Sequence, residues 1–169
     1  KLAEMDIDAA VKTRSVLMLL GPLSHLEKQF AIPLAGGCKL GARTVRPHLF
    51  ALEKLGISIN THHDYYSVTT KKLNASDNLV LYESGDTVTE NVLMAASKIK
   101  GKTVIKLASS NYMVQDLCYF LQACGVKIDG IGTSTLTVYG LANINKTVTY
   151  QLSEDPIESM MFLSLAAKI

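Results

Sequence analysis

Leu52-Glu-Lys-Leu-Gly-Ile-Ser-Ile59 returns later in the chain as Leu121-Gln-Ala-Cys-Gly-Val-Lys-Ile128. Both words are built the same way. An apolar helical stripe ends at a glycine, which terminates a helix because it takes backbone angles that a Cβ resists. Alternating apolar residues follow, the period of a half-buried strand.

Other words repeat around this one. Arg14-Ser-Val-Leu-Met18 matches Glu90-Asn-Val-Leu-Met94 and Glu158-Ser-Met-Met-Phe162, and Ala31-Ile-Pro-Leu34 matches Val104-Ile-Lys-Leu107. Val16 and Val92 are 76 residues apart, Ile32 and Ile105 are 73, Gly56 and Gly125 are 69, and Glu90 and Glu158 are 68. A period of about 70 residues predicts an α/β fold of stacked, like units. The expected organisation is a single, partial domain over residues 1–169: two full repeats at about 8–76 and 77–145, and the start of a third at 146–169. Helices are expected at Asp8–Leu23, Val45–Leu55, Thr87–Lys98 and Met113–Ala123. Strands are expected at Phe30–Leu34, Ile57–Asn60, Tyr65–Thr69, Asn78–Tyr82, Thr103–Leu107, Val126–Asp129 and Leu136–Tyr139.

The first copy is longer than the second between the Ile32 and Gly56 words, where it carries Leu34-Ala-Gly-Gly-Cys38-Lys-Leu-Gly-Ala-Arg43. A repeat that lengthens at one loop has often placed function there, since loops carry function while the scaffold carries packing. Lys39 and Arg43 lower the pKa of the Cys38 thiol and favour its thiolate. A cation on a glycine-rich loop also suits an anionic ligand, because exposed backbone N–H groups add to the charge. The plainer reading is a surface loop with a small, half-buried cysteine.

Composition narrows the class. Of 169 residues 48% are hydrophobic and 19% charged, a globular balance, and a net charge of +2 gives no polybasic surface for nucleic acid. No apolar run reaches the ~20 residues that span a membrane. The longest candidate, Ser15–Leu23, follows acidic Glu4, Asp6 and Asp8, which is not a signal-peptide layout. Three widely spaced cysteines make neither a disulfide framework nor a CxxC metal site, so the expectation is a cytosolic protein. The absence of an initial Met, and an end inside the apolar pattern Ala166–Ile169, read as a fragment of something longer.

The stretch Gly36-Gly-Cys-Lys-Leu-Gly-Ala-Arg43 resembles the catalytic loop of the UDP-N-acetylglucosamine enolpyruvyl transferase (1-carboxyvinyltransferase) family, Leu-Pro-Gly-Gly-Cys-x-Ile-Gly-Ala-Arg. Lys12-Thr-Arg14 with Gly21-Pro22, then His48, Leu52-x-x-Leu-Gly56, Thr89-Glu-Asn-Val-Leu-Met-Ala-Ala96 and Val126-x-Ile-x-Gly-x-Gly132-Thr also fit. The resemblance implies an inside-out α/β barrel domain, helices inside and sheets outside, paired with a second domain of the same polypeptide. It implies transfer of the enolpyruvyl group of phosphoenolpyruvate to the 3′-hydroxyl of UDP-N-acetylglucosamine, the first committed step of peptidoglycan synthesis in bacterial cytoplasm. Neither cofactor nor metal is called for, and no nucleic-acid or membrane partner.

By the same resemblance Cys38 is the general acid, the site of a covalent adduct and the point of attack for fosfomycin. Arg43 holds the phosphoenolpyruvate phosphate, and Arg14 contacts the nucleotide. Thr44, Val45, Arg46 and His48 run along the nucleotide, while Asp86 and Thr87 belong to the diphosphate loop. Two departures stand out. Arg46 replaces a carboxylate of the family pattern, and Glu83 stands where a lysine is usual, with Asp86 nearby. Alternative readings are therefore a non-catalytic binding or structural relative, and a transferase with a different acceptor.

His62 and His63 with Asp64 read as a solvated turn. Cys118, Cys124, Met18, Met94, Met160 and Met161 read as core, and Tyr65 and Tyr66 as strand.

Overall fold

A computed structural model describes residues 6–34, 36 and 44–168. It is a mixed α/β structure with two sheets. The first contains β1 (Gln29–Pro33), β2 (Ile57–Thr61) and β3 (Tyr65–Thr70) in the order β1-β3-β2, all antiparallel. The second contains β4 (Leu79–Val80), β5 (Gly101–Lys106), β6 (Lys127–Asp129) and β7 (Thr135–Gly140) in the order β4-β5-β7-β6. Within β5-β7-β6 the pairing is again antiparallel.

Val68 pairs with Phe30 and Ile59, and Val138 pairs with Thr103 and Ile128. Alternation explains this. Ile57 and Val68 in the first sheet, and Ile105, Ile128, Leu136 and Val138 in the second, are buried, and a one-residue slip of a strand would turn its buried residues to solvent.

Helices α3 (Arg46–Glu53), α4 (Asp86–Ser97) and α5 (Tyr112–Ala123) pack beneath the sheets. The helix α4 is central. It touches α2 (Leu20–Leu23), α3, α5 and β7, and eight of its residues are buried, including Val88, Val92, Leu93, Ala95 and Ala96. Small residues permit that crowding. A Cβ on Gly21 would lie 2.4 Å from the Asn91 carbonyl oxygen, and one on Gly140 would lie 2.3 Å from that of Ala96.

Several expectations need correction. The helix expected over Asp8–Leu23 is three pieces: α1 (Ile7–Ala10), a 3-10 segment Arg14–Leu19, and α2. Thr13 is extended, at φ −122° and ψ 143°, and Pro22 has no N–H to continue the α ladder. The strand expected at Asn78–Tyr82 pairs only at Leu79–Val80. Met160 and Met161 do not pack in a core. They lie on α6 (Pro156–Ala166), where no residue is buried and Ile157, Met160, Met161, Phe162, Leu163 and Leu165 are all exposed. Met18 and Met94 are half-buried beside an apolar groove that also holds Phe120 and Leu152. Cys118 is buried as expected, but Cys124 is only half-buried at the end of α5.

Candidate active site

The first turn of α4 borders the candidate site. Gly85 opens it with extended backbone, and among the described residues no side chain caps it. The first N–H groups of a helix have no intrahelical partner and carry partial positive charge. Facing this turn is Arg14, which ends the extended step at Thr13; its Nη2 donates to the Thr44 carbonyl at 3.2 Å. Below both is His48, buried in α3. Arg14, Thr44, His48, Glu83, Ser84, Gly85, Asp86 and Thr87 line one polar cleft of about 590 Å³.

The cleft lining carries both signs of charge, Arg14 against Glu83 and Asp86. Asp86 Oδ1 accepts from Ser109 Oγ at 2.5 Å, and its Oδ2 accepts from Asn111 Nδ2 at 2.9 Å. Each oxygen thereby takes one hydrogen bond from the turn between β5 and α5. Glu83 is exposed at the rim. Burial pushes the His48 imidazole down to about 4, with a smaller push from the Arg14 charge, so the ring is neutral. Glu90, beside the apolar groove, is shifted upward by burial and then by the Asp86 charge.

Arg14, Thr44, His48, Asp86 and Thr87 thus come together from three separate parts of the chain. Arg46 does not join them. It lies in an adjoining cleft of about 530 Å³ with Leu49, Phe50, Glu53 and Tyr82, and Thr44 borders both clefts. Val45 caps the start of α3 and packs half-buried against the core. Cys38 and Arg43 lie outside the described residues, and Thr44 is the next residue in the chain. His62 bonds Ser67 Oγ at 2.8 Å and stacks on Tyr65, and exposed His63 contacts Asp64. Among the described residues no group of three or more His, Cys, Asp or Glu could hold a metal ion. None of the described helices is long and apolar enough to cross a membrane.

Sequence reasoning passed over Asn91, Ser109 and Asn111, which hold the cleft in shape. Asn91 did carry a signal: it is a polar residue on the otherwise apolar stripe Val88, Val92, Ala95.

Residues 3–169 match the sequence family described as EPSP synthase (3-phosphoshikimate 1-carboxyvinyltransferase). The UDP-N-acetylglucosamine 1-carboxyvinyltransferase of Bradyrhizobium diazoefficiens is 37% identical over 167 residues, which is 99% of this chain and 38% of that protein. The Treponema denticola protein of the same name is 34% identical over 99% of the chain. The chain therefore spans about 38% of the length of these relatives. Among solved structures, the enolpyruvyl transferase NikO from Streptomyces tendae superposes with a TM-score of 0.76 at 18% identity, over 95% of this chain and 38% of that one. An EPSP synthase from Acinetobacter baumannii gives 0.57 at 20% identity, over 77% of this chain and 29% of that one.

Proposed function

Because the chain belongs to the EPSP synthase family, we propose that it is part of an enolpyruvyl transferase, which moves the enolpyruvyl group of phosphoenolpyruvate to the 3′-hydroxyl of UDP-N-acetylglucosamine. One observation carries this reading. Arg14, neutral His48 and the first turn of α4, which no side chain caps among the described residues, line a cleft together with Thr44, the residue that follows Arg43 in the sequence. Such a cleft suits a phosphorylated ligand, because guanidinium and helix N–H groups both favour phosphate oxygens.

In this reading the acceptor hydroxyl gives up its proton as its oxygen adds to C2 of phosphoenolpyruvate, while the Cys38 thiol gives its proton to C3, and a tetrahedral adduct results. The Cys38 thiolate then takes a proton back from C3 as the C2–O bond to phosphate breaks, and the phosphate leaves with the acceptor's proton, giving the enol ether. Arg43 holds the departing phosphate with its planar fork. Arg14, Thr44, Val45, Arg46, His48, Asp86 and Thr87 form the acceptor side, with Asp86 acting through the shape of the α4 turn. The chain supplies two repeats and the start of a third of an inside-out domain, and a second domain of the same polypeptide supplies the opposing wall. The setting is peptidoglycan synthesis in bacterial cytoplasm, and fosfomycin would alkylate Cys38.

Calorimetric titration of the intact natural polypeptide with UDP-N-acetylglucosamine, followed by a phosphate-release assay with phosphoenolpyruvate, tests this. Saturable binding and coupled phosphate release are expected. A well-folded polypeptide that binds no UDP-N-acetylglucosamine rules the acceptor out. Arg46 and Glu83 favour one second reading, a transferase with another acceptor. That reading requires phosphoenolpyruvate-dependent phosphate release with a different hydroxyl compound.

A further inference from the structure

Hydrogen bonds leave the Asn91 amide a single orientation. The Gly21 N–H donates to Asn91 Oδ1 at 2.8 Å, and Asn91 Nδ2 donates to the Leu17 carbonyl at 2.8 Å. A backbone N–H only donates and a carbonyl only accepts. The two contacts therefore agree on which end of the amide is nitrogen. The second Nδ2 hydrogen faces His48 Nδ1 at 3.3 Å. Opposite a donor, Nδ1 must present its lone pair, so the ring proton sits on Nε2. That atom lies toward the cleft, with Thr87 Oγ1 at 3.5 Å. Such a distance is long for a hydrogen bond, and the Nε2 proton is left for a better acceptor.

We propose that Asn91 is a positioning residue that holds His48 as the neutral Nε2–H tautomer, making His48 a standing hydrogen-bond donor to an oxygen of the anionic acceptor substrate. The second half of this rests on the cleft being the acceptor site, as read above. The groups around the ring agree with it. A cationic His48 would set Nδ1–H against the Asn91 amide hydrogens, two donors face to face, and Asn91 is fully buried where water cannot relieve the clash. Arg14, from the 3-10 segment, disfavours a second positive charge. Among the described residues Asp86 makes no hydrogen bond to His48; its oxygens accept from Ser109 Oγ and Asn111 Nδ2. Glu83 is exposed to solvent. Arg14 then supplies charge and His48 supplies direction. The tautomer of a histidine is set by what its other nitrogen meets, and here that is Asn91.

The test is ¹⁵N NMR of histidine-labelled, intact natural polypeptide. At neutral pH the His48 spectrum should show a protonated Nε2 and a bare Nδ1, unchanged down to about pH 5. An Nδ1–H tautomer or an imidazolium at neutral pH overturns the proposal. UDP-N-acetylglucosamine should shift the Nε2 resonance. A shift with another nucleotide only keeps the donor role and rejects that acceptor, whereas a shift with neither overturns the donor role. Asn91→Asp places an acceptor against Nδ1 and should reverse the tautomer. It should raise the acceptor KM about tenfold or more, the scale of one hydrogen bond to a charged group, with little change in the KM of phosphoenolpyruvate. His48→Gln added to Asn91→Asp should recover most of that loss, since Gln offers an N–H whatever faces it. If Asn91→Asp does not fold, the unmodified spectrum decides the tautomer, and His48→Gln against His48→Phe decides the donor role. Equal acceptor KM in those two variants overturns it.

Discussion

Asn111 Nδ2 donates to Asp86 Oδ2 at 2.9 Å, which ties the residue before α5 to the first residue of α4. Ser109 Oγ holds the other oxygen at 2.5 Å, and the Ser109 N–H reaches Thr89 Oγ1 at 3.0 Å. The turn between β5 and α5 is thus bonded to the edge of the candidate cleft.

Asp86→Ala is therefore expected to cost stability, about 1–3 kcal/mol, by orphaning Ser109 and Asn111. Asp86→Asn keeps the oxygen for one partner and should cost less. Urea unfolding of the three proteins measures the order. If Asp86→Ala unfolds at the same midpoint, the carboxylate is not a tether and belongs with the ligand-facing groups.

Gly21→Ala tests the closest approach in the core. A Cβ there would sit 2.4 Å from the Asn91 carbonyl oxygen and 2.7 Å from Oδ1, both parts of a buried helix that cannot yield. Overpacking of this kind costs about 1–3 kcal/mol. The variant should also disturb the His48 ring signals, because Gly21 N–H is one of the bonds that orient Asn91. A variant as stable as the parent would place α2 further from α4 than it stands here.

How far the sequence spoke for itself depends on distance along the chain. Ile59, Val68, Ile128 and Val138 were legible as strand residues because alternation is local. Gly56 and Gly125 were legible as helix stops, and both have positive φ. The break at Thr13 was not legible, since the apolar spacing around it suits a continuous helix. Helical spacing at Met160 and Met161 likewise says nothing about what covers them. The cleft was only partly legible. The resemblance pointed to Arg14, Thr44, His48, Asp86 and Thr87 one by one. The bond between His48 and Asn91 spans 43 positions, and that between Gly21 and Asn91 spans 70. No local pattern encodes such pairs.

Stability should fall on mild acidification. His48 has a folded pKa of about 4 against 6.5 for the free side chain. A lowered histidine binds fewer protons folded than unfolded. Its contribution is present in full above pH 6.5 and is lost as pH falls toward 4, on the order of 3 kcal/mol across that window. His25, lowered by burial, adds in the same sense. Glu90, raised by burial, acts oppositely and loses stability as pH rises. Chemical denaturation at a series of pH values should show a flatter slope between pH 4 and 6.5 for His48→Gln. Glu90→Gln should gain stability at neutral pH and none at acid pH. An unchanged slope in His48→Gln would mean that the imidazole is not desolvated.

The last expectation concerns the three thiols. Burial pushes Cys118 up to about 12, and it is fully buried on α5, so it should be inert to alkylation. Cys124 is half-buried at the end of α5, with the Cys124 N–H bonded to the Phe120 carbonyl at 3.0 Å. Cys38 has Lys39 and Arg43 as sequence neighbours and glycines on both sides, the setting of a low-pKa thiol. Limiting iodoacetamide followed by peptide mass mapping should label Cys38 first, Cys124 slowly and Cys118 only on unfolding. Phosphate or phosphoenolpyruvate should slow the first reaction if the thiol stands over an anion site. In the intact natural polypeptide Cys38→Ser should remove most transferase activity, because a hydroxyl is too weak an acid to protonate the methylene carbon. Cys38→Asp should keep a measurable part, since a carboxylic acid can donate that proton. Labelling of Cys124 before Cys38, or full activity in Cys38→Ser, would remove Cys38 from the catalytic role.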